Sequence, residues 1–221
     1  NRRRYNENNA DLNRNFVRDE NFDPKINPDY EPLIPLLNPP RPIANLFASD
    51  IVFLARLLGN IVKLGILRIR QGTLSGQYRH PRGIQFGGDA TQESTRLMRG
   101  LFQQALEEYG QVIHLDMHTG YGPRYQMSMV NSTQEPASGP ELTRRFNYPL
   151  IVAATPSDFY TVTGDITEYF YQLRDEKYPS IKLFATCFEF GTFGDSLLMQ
   201  IRSMRATILE NCLFQHGAKT D

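Results

Sequence analysis

The chain has 221 residues and 40% hydrophobic content, enough to bury a core as one domain. Lys plus Arg and Asp plus Glu number 24 each, so no global charge recommends nucleic acid or an acidic membrane as a partner. The two cysteines, Cys187 and Cys212, suggest neither a disulfide framework nor a zinc knuckle and read as reduced core residues of a cytoplasmic protein.

The opening NRRRYNENN lacks an initiator Met and reads as the start of a fragment. Next, NENNADLNRNF (6–16) sets Asn13 and Arg14 side by side after a short apolar step. The Pro-rich FDPKINPDYEPLIPLLNPPRP (22–42) predicts an ordered loop wrapping the surface. The run IVFLARLLGNIVKLGILRI (51–69) is interrupted by Arg56 and Lys63, which argues against a membrane span. Asp50 as N-cap, helical apolar spacing and Gly72 beyond the end predict a core-packed helix instead.

A second helix is expected from Gln92 to Tyr109, with Leu97, Leu101 and Leu106 facing inward. It leads into the strand VIHLDMHTGYG (112–122). A long polar connection, SMVNSTQEPASGPELTRR, separates that strand from another near Tyr148 to Ala153. Asp165 starts a helix through about Arg174, IKLFATCFEFG (181–191) is a buried strand, and a last helix runs from Asp195 to Phe214 with Gly217 at its C′ position. Strands alternating with helices imply an α/β layered sheet whose functional edge lies at the strand C-termini.

Residues i, i+2 and i+4 of a strand share a face, so His114, Asp116 and His118 line one side and Ile113, Leu115 and Met117 the other. At about 13–14 Å of strand rise, His114 and His118 are too far apart to share one metal ion, so His114 reads as structural. In FEFGT, Glu189 lies between Phe188 and Phe190, where poor solvation suits a general base.

In combination and order, DLNRNF, LDMHTGYG and FEFGT resemble the corresponding segments of the zinc carboxypeptidase clan, which includes the succinylglutamate desuccinylase and aspartoacylase enzymes. GQYRHPRGIQFGG (76–88) is similar to a segment of the clan's bacterial-type branch. The resemblance implies a three-layer α/β/α fold with a mixed central sheet, one catalytic domain over residues 1–221 with its N-terminal part missing. It further implies a Zn2+-dependent hydrolase of carboxypeptidase type, cleaving a peptide or amide bond in a substrate with a free carboxylate. Alternatives are an N-acyl amino acid deacylase and a non-catalytic carboxylate-binding module. The partner expected is a small peptide or N-acyl amino acid, with no nucleic acid or membrane.

By that resemblance His118 is a zinc ligand and Glu189 the general base. Asn13 and Arg14 hold the substrate carboxylate, Arg3 or Arg4 polarises the scissile carbonyl, and Tyr160 closes over bound substrate. Asp116 is expected to be a hydrogen-bond partner behind the ligand. The clan's other two ligands come from an H-x-x-E motif, and the four histidines here continue as HPRG, HLDM, HTGY and HGAK. With one ligand of the three a catalytic zinc needs, the chain is expected to hold zinc weakly and to be inactive or nearly so.

Overall fold

The structure is a computed structural model that describes residues 3–153 and 162–217. Within the span read as a single domain, contacts of the described residues group into two compact units: one from the segments up to 92, 162–164 and from 204 on, the other from 93–153 and 165–203.

In the first unit, 3-10 turns at Leu12–Arg14, Arg18–Glu20 and Pro28–Leu33 precede α1 (Ile34–Leu37), α2 (Leu46–Leu64) and α3 (Ile66–Leu74). The Pro-rich stretch is ordered as its sequence suggests, but it builds core rather than wrapping it. Tyr30, Leu33, Leu36 and Leu37 are buried, and the Tyr30 hydroxyl donates to the Ile84 carbonyl at 2.9 Å. Prolines near the N-termini of the third turn and of α1 pre-set φ at positions whose N–H groups have no intrahelical partner.

The apolar run departs from its reading in three ways. Asn45, not Asp50, caps α2 by accepting from the Ala48 N–H; Asp50 lies inside the helix and pairs with Arg205 at 2.8 Å. Gly65, at φ +79°, ends α2, a conformation that costs glycine little, and Gly72 falls within α3. There a Cβ would meet the Asp29 carbonyl oxygen at 2.7 Å, so the glycine serves close packing rather than capping. Finally, α2 buries Phe53 and Leu57 but exposes Phe47, Ile51, Leu54, Leu58 and Val62. Apolar residues at helical spacing define a stripe; they do not guarantee that it is covered.

The second unit carries α4 (Glu93–Glu108), β1 (Gln111–Thr119), β2 (Met127–Asn131), α5 (Gly139–Phe146), β3 (Ile151–Ala153), α6 (Ile166–Lys177) and β4 (Lys182–Phe190). The C-terminal α7 (Leu197–His216) has its first residues in this unit and the remainder in the other. The strands form one mixed sheet in the order β1-β4-β2-β3, with β1 parallel to β4, β4 antiparallel to β2, and β2 parallel to β3. Phe102 of α4 stacks on Phe170 of α6 at 4.0 Å, and both rings meet His114 edge-on, placing these helices over one sheet face. On the other face Phe146 of α5 packs on Phe184 at 4.9 Å. The result is the α/β/α layering expected.

Two elements here lie inside the stretch read as polar connection. MSMVN forms β2, and Pro140 near the start with Glu141 early and Arg144 and Arg145 late marks α5. In α4, Leu106 is buried but Leu97 and Leu101 are exposed, because Thr95, Phe102 and Leu106 define the inward stripe. Asp165 caps α6 through the N–H groups of Thr167 and Glu168, and Gly217 ends α7 at φ +73°, both as the sequence signals. No helix among the described residues is long and apolar enough to cross a membrane.

Candidate metal and catalytic site

The alternation of β1 and its parallel register with β4 build the site. Asp116 pairs with Cys187 and His118 with Glu189, so four chemically active side chains form a two-by-two block on one face near the strands' C-terminal ends. One step back on the same face, His114 pairs with Ala185 and lies among the helix aromatics. Burial lowers the His114 pKa, opposed by Asp116 and Asp165; it is a packed structural residue, as read from the strand rise.

His118 is fixed from one side. Its Nε2 lies 2.6 Å from Asp116 Oδ2, so Nε2 carries the proton and donates to the carboxylate. Its Nδ1 is then directed toward Glu189 Oε1 at 3.7 Å, beyond hydrogen-bond distance. The other Glu189 oxygen, Oε2, accepts from the Tyr121 N–H at 3.4 Å. Asp116 therefore takes the partner role expected of it.

The loop after β1 closes this end of the sheet. Gly120 donates to the Phe190 carbonyl at 3.0 Å, Tyr125 to that of Gly191 at 2.9 Å, and Gly191 in turn to that of Gln126 at 2.9 Å. A Cβ on Gly191 would lie 2.0 Å from the Pro123 carbonyl oxygen, so a side chain there is sterically barred. The glycine in FEFGT thus lets the loop lie against the end of the strand that carries Glu189.

Cys187 was missed in the sequence reading, although its signal was present: it stands two residues before Glu189, as Asp116 stands two before His118. Asp116, His118 and Cys187 each offer a ligand atom, and these atoms lie within 4.8 Å of one another, the one such group of three among the described residues. Burial pushes the Cys187 thiol well above its usual range, and Glu189, Asp116 and Asp165 push it further. The thiol therefore stays protonated at neutral pH.

Asn13, Arg14, Arg3 and Arg4 belong to the first unit. Asp11 caps the turn that carries Asn13 and Arg14 by accepting from the Asn13 N–H. Arg14 is 3% exposed; its Nε and Nη2 donate to the Leu74 carbonyl at 3.2 and 2.7 Å, and Nη1 to the Asn13 carbonyl at 2.7 Å. Its side chain also lies where a Gly76 Cβ would be, 2.8 Å from Cδ. Arg4 donates to Asp11 Oδ2 at 2.8 Å. Arg3 donates to Asn9 Oδ1 at 2.6 Å and sits over the Phe214 ring at 3.4 Å. Tyr160 lies outside the described residues.

Over residues 1–221 the chain matches one family, described as "Protein of unknown function (DUF2817)". No curated protein and no solved structure matches it.

Proposed function

Because the chain belongs to the DUF2817 family, whose description carries no activity, we propose its function from the site: a metal-dependent hydrolase of carboxypeptidase type, acting on a peptide or amide with a free carboxylate. The observation that carries this reading is the pairing of His118 with Glu189 at the C-terminal ends of adjacent parallel strands, with Asp116 holding the imidazole from behind. The resemblance of DLNRNF, LDMHTGYG and FEFGT to zinc carboxypeptidases supports it.

The donor atoms suit a divalent ion: an imidazole nitrogen, a carboxylate oxygen and a thiol sulfur within 4.8 Å of one another. When bound, such an ion supplies Lewis-acid polarisation of the scissile carbonyl. The chain supplies the rest. Asp116 orients His118. Glu189 accepts the proton of the attacking water on a carboxylate oxygen and passes it to the leaving amine, while the Tyr121 N–H restrains its other oxygen. The resemblance assigns Asn13 and Arg14 to the substrate carboxylate and Arg3 or Arg4 to the oxyanion.

Glu189→Gln in the full-length protein is the direct test, since glutamine keeps the shape and loses the proton acceptor. Turnover of C-terminal peptide substrates should fall about 10²- to 10⁴-fold while metal content is unchanged. Wild-type turnover in that variant would remove Glu189 from the chemistry. N-acyl amino acids assayed alongside separate a peptidase from a deacylase.

A further inference from the structure

We infer that the outward face of α2 docks on the surface of an anionic lipid bilayer, lying in the plane of the headgroups and holding the protein there without crossing. The inference is independent of the hydrolase reading, because it uses neither His118 nor the strands that carry it.

α2 buries one side only, through Phe53 and Leu57. At 3.6 residues per turn, every residue on the arc from Leu54 round to Val52, about 160° of the helix circumference, is exposed and uncharged. Phe47, Ile51, Leu54, Leu58 and Val62 make its apolar ridge, with Phe47 77% and Val62 86% exposed. Only alanine and glycine separate that ridge from Val52. Past the bend at Gly65, Ile66 and Leu67 are exposed as well. Soluble proteins rarely leave so continuous an apolar surface open unless something docks on it.

Charge decides the occupant. The chain as a whole is balanced, yet residues 41–74 carry Arg41, Arg56, Lys63, Arg68 and Arg70 against a single acid, Asp50. That acid is itself paired with Arg205 at 2.8 Å. Arg56 and Lys63 are exposed and stand together on one border of the apolar arc, where long side chains lay their stems along hydrocarbon and keep their charge among the headgroups. An apolar face with a basic border therefore matches acyl chains and anionic headgroups at once. A second copy fits less well. A 19-residue helix is about 28 Å long and about 10 Å wide, so α2 offers roughly 300 Å² to a partner helix, against about 800 Å² per partner in a stable interface. Nor does the arc hold an acidic side chain to meet a copy's Arg56 and Lys63.

The chain contains no tryptophan, so Phe47→Trp places a sole reporter on the face. Vesicles of mixed phosphatidylcholine and phosphatidylglycerol should shift its emission to the blue, and brominated acyl chains should quench it. Cosedimentation of the wild-type chain reads the same affinity without a reporter. Binding should weaken at least ~10-fold on vesicles of phosphatidylcholine alone, because the basic side chains lose their counter-charge. Leu54→Glu combined with Leu58→Glu should weaken it at least ~10-fold, at exposed positions where the fold loses no packing. Leu97→Glu, an exposed leucine of α4, should bind as wild type does. Absence of vesicle binding, binding indifferent to lipid charge, or binding that survives the paired α2 substitutions would each overturn the inference. Self-association in sedimentation velocity that those substitutions abolish, with no vesicle binding, would assign the face to a second copy instead.

Discussion

His118 and Asp116 lie two residues apart on one strand, and Nε2 of the first donates to Oδ2 of the second at 2.6 Å. A contact between such near neighbours follows from strand geometry and turns Nε2 toward the carboxylate. In the ion-free chain, nitrogen-detected NMR should show His118 protonated at Nε2. Asp116→Ala should free the ring to exchange tautomers and cost about 1.5–3 kcal/mol of stability, the range for hydrogen bonds to charged groups. An unchanged tautomer in that variant would mean that another group orients the ring.

Arg14 tests the carboxylate clamp against a structural role. Its guanidinium donates to the Leu74 and Asn13 carbonyls from a site 3% exposed. Arg14→Lys cannot reproduce that fork, so unfolding in denaturant should show a loss of about 1–3 kcal/mol. If Arg14 also holds substrate, affinity for a carboxylate-bearing product should fall by a further 2–5 kcal/mol, roughly, measured under conditions where the variant is folded. Lost stability with unchanged product affinity would leave Arg14 as a tie between main-chain segments.

Asp11 predicts the acid limb of stability. Burial alone would raise its pKa, but Arg4 and Arg14 outweigh burial and bring it below the ordinary value of 3.8. A carboxylate with a depressed folded-state pKa contributes stability that is complete above the unfolded value and is lost as pH falls from there through the folded value. Chemical denaturation should therefore show stability dropping below about pH 3.8, and Asp11→Asn should flatten that drop. An acid limb of the same depth in the variant would assign it to other carboxylates.

Gly191 is the steric keystone of the loop over the site. Its added Cβ would meet backbone atoms of Gly122 and Pro123, at 2.5 and 2.0 Å, which cannot rotate aside. Gly191→Ala should cost about 1–3 kcal/mol, the range for overpacking a packed structure, and should displace the Tyr121 N–H from Glu189. Thermal unfolding measures the first effect and amide chemical shifts the second. A variant as stable as wild type would show that the loop has room to move.

The strands of the site were legible because period-2 alternation is local: HLDMH and TCFEF each announce which side chains share a face. What the alternation cannot show is the neighbour. The Asp116–Cys187 pairing joins residues far apart in the chain and exists only once β1 and β4 are in register. The α2 stripe failed for the opposite reason. Its periodicity correctly indicated a helix, but whether Leu54 and Leu58 are covered depends on packing that helical periodicity does not encode. Arg14 illustrates a third limit, since the acceptors of its guanidinium include a carbonyl sixty positions away.

The two faces of β1 carry one last consequence. Ile113, Leu115 and Met117 are 60%, 47% and 62% exposed, while the more polar face sits under helices and at the site. Sliding β1 by one residue against β4 would exchange the faces, tucking three apolar side chains under α4 and α6 and turning His118 out to water. Hydrophobic burial by itself therefore favours the wrong alignment. The native one must be held by directional contacts: the Gly120–Phe190 hydrogen bond, the loop seated on Gly191, and the aromatic cradle around His114. In β1, then, the alignment that gathers Asp116, His118, Cys187 and Glu189 on one face leaves three apolar side chains exposed on the other, and mutations that loosen those contacts should appear first as misaligned, aggregating protein.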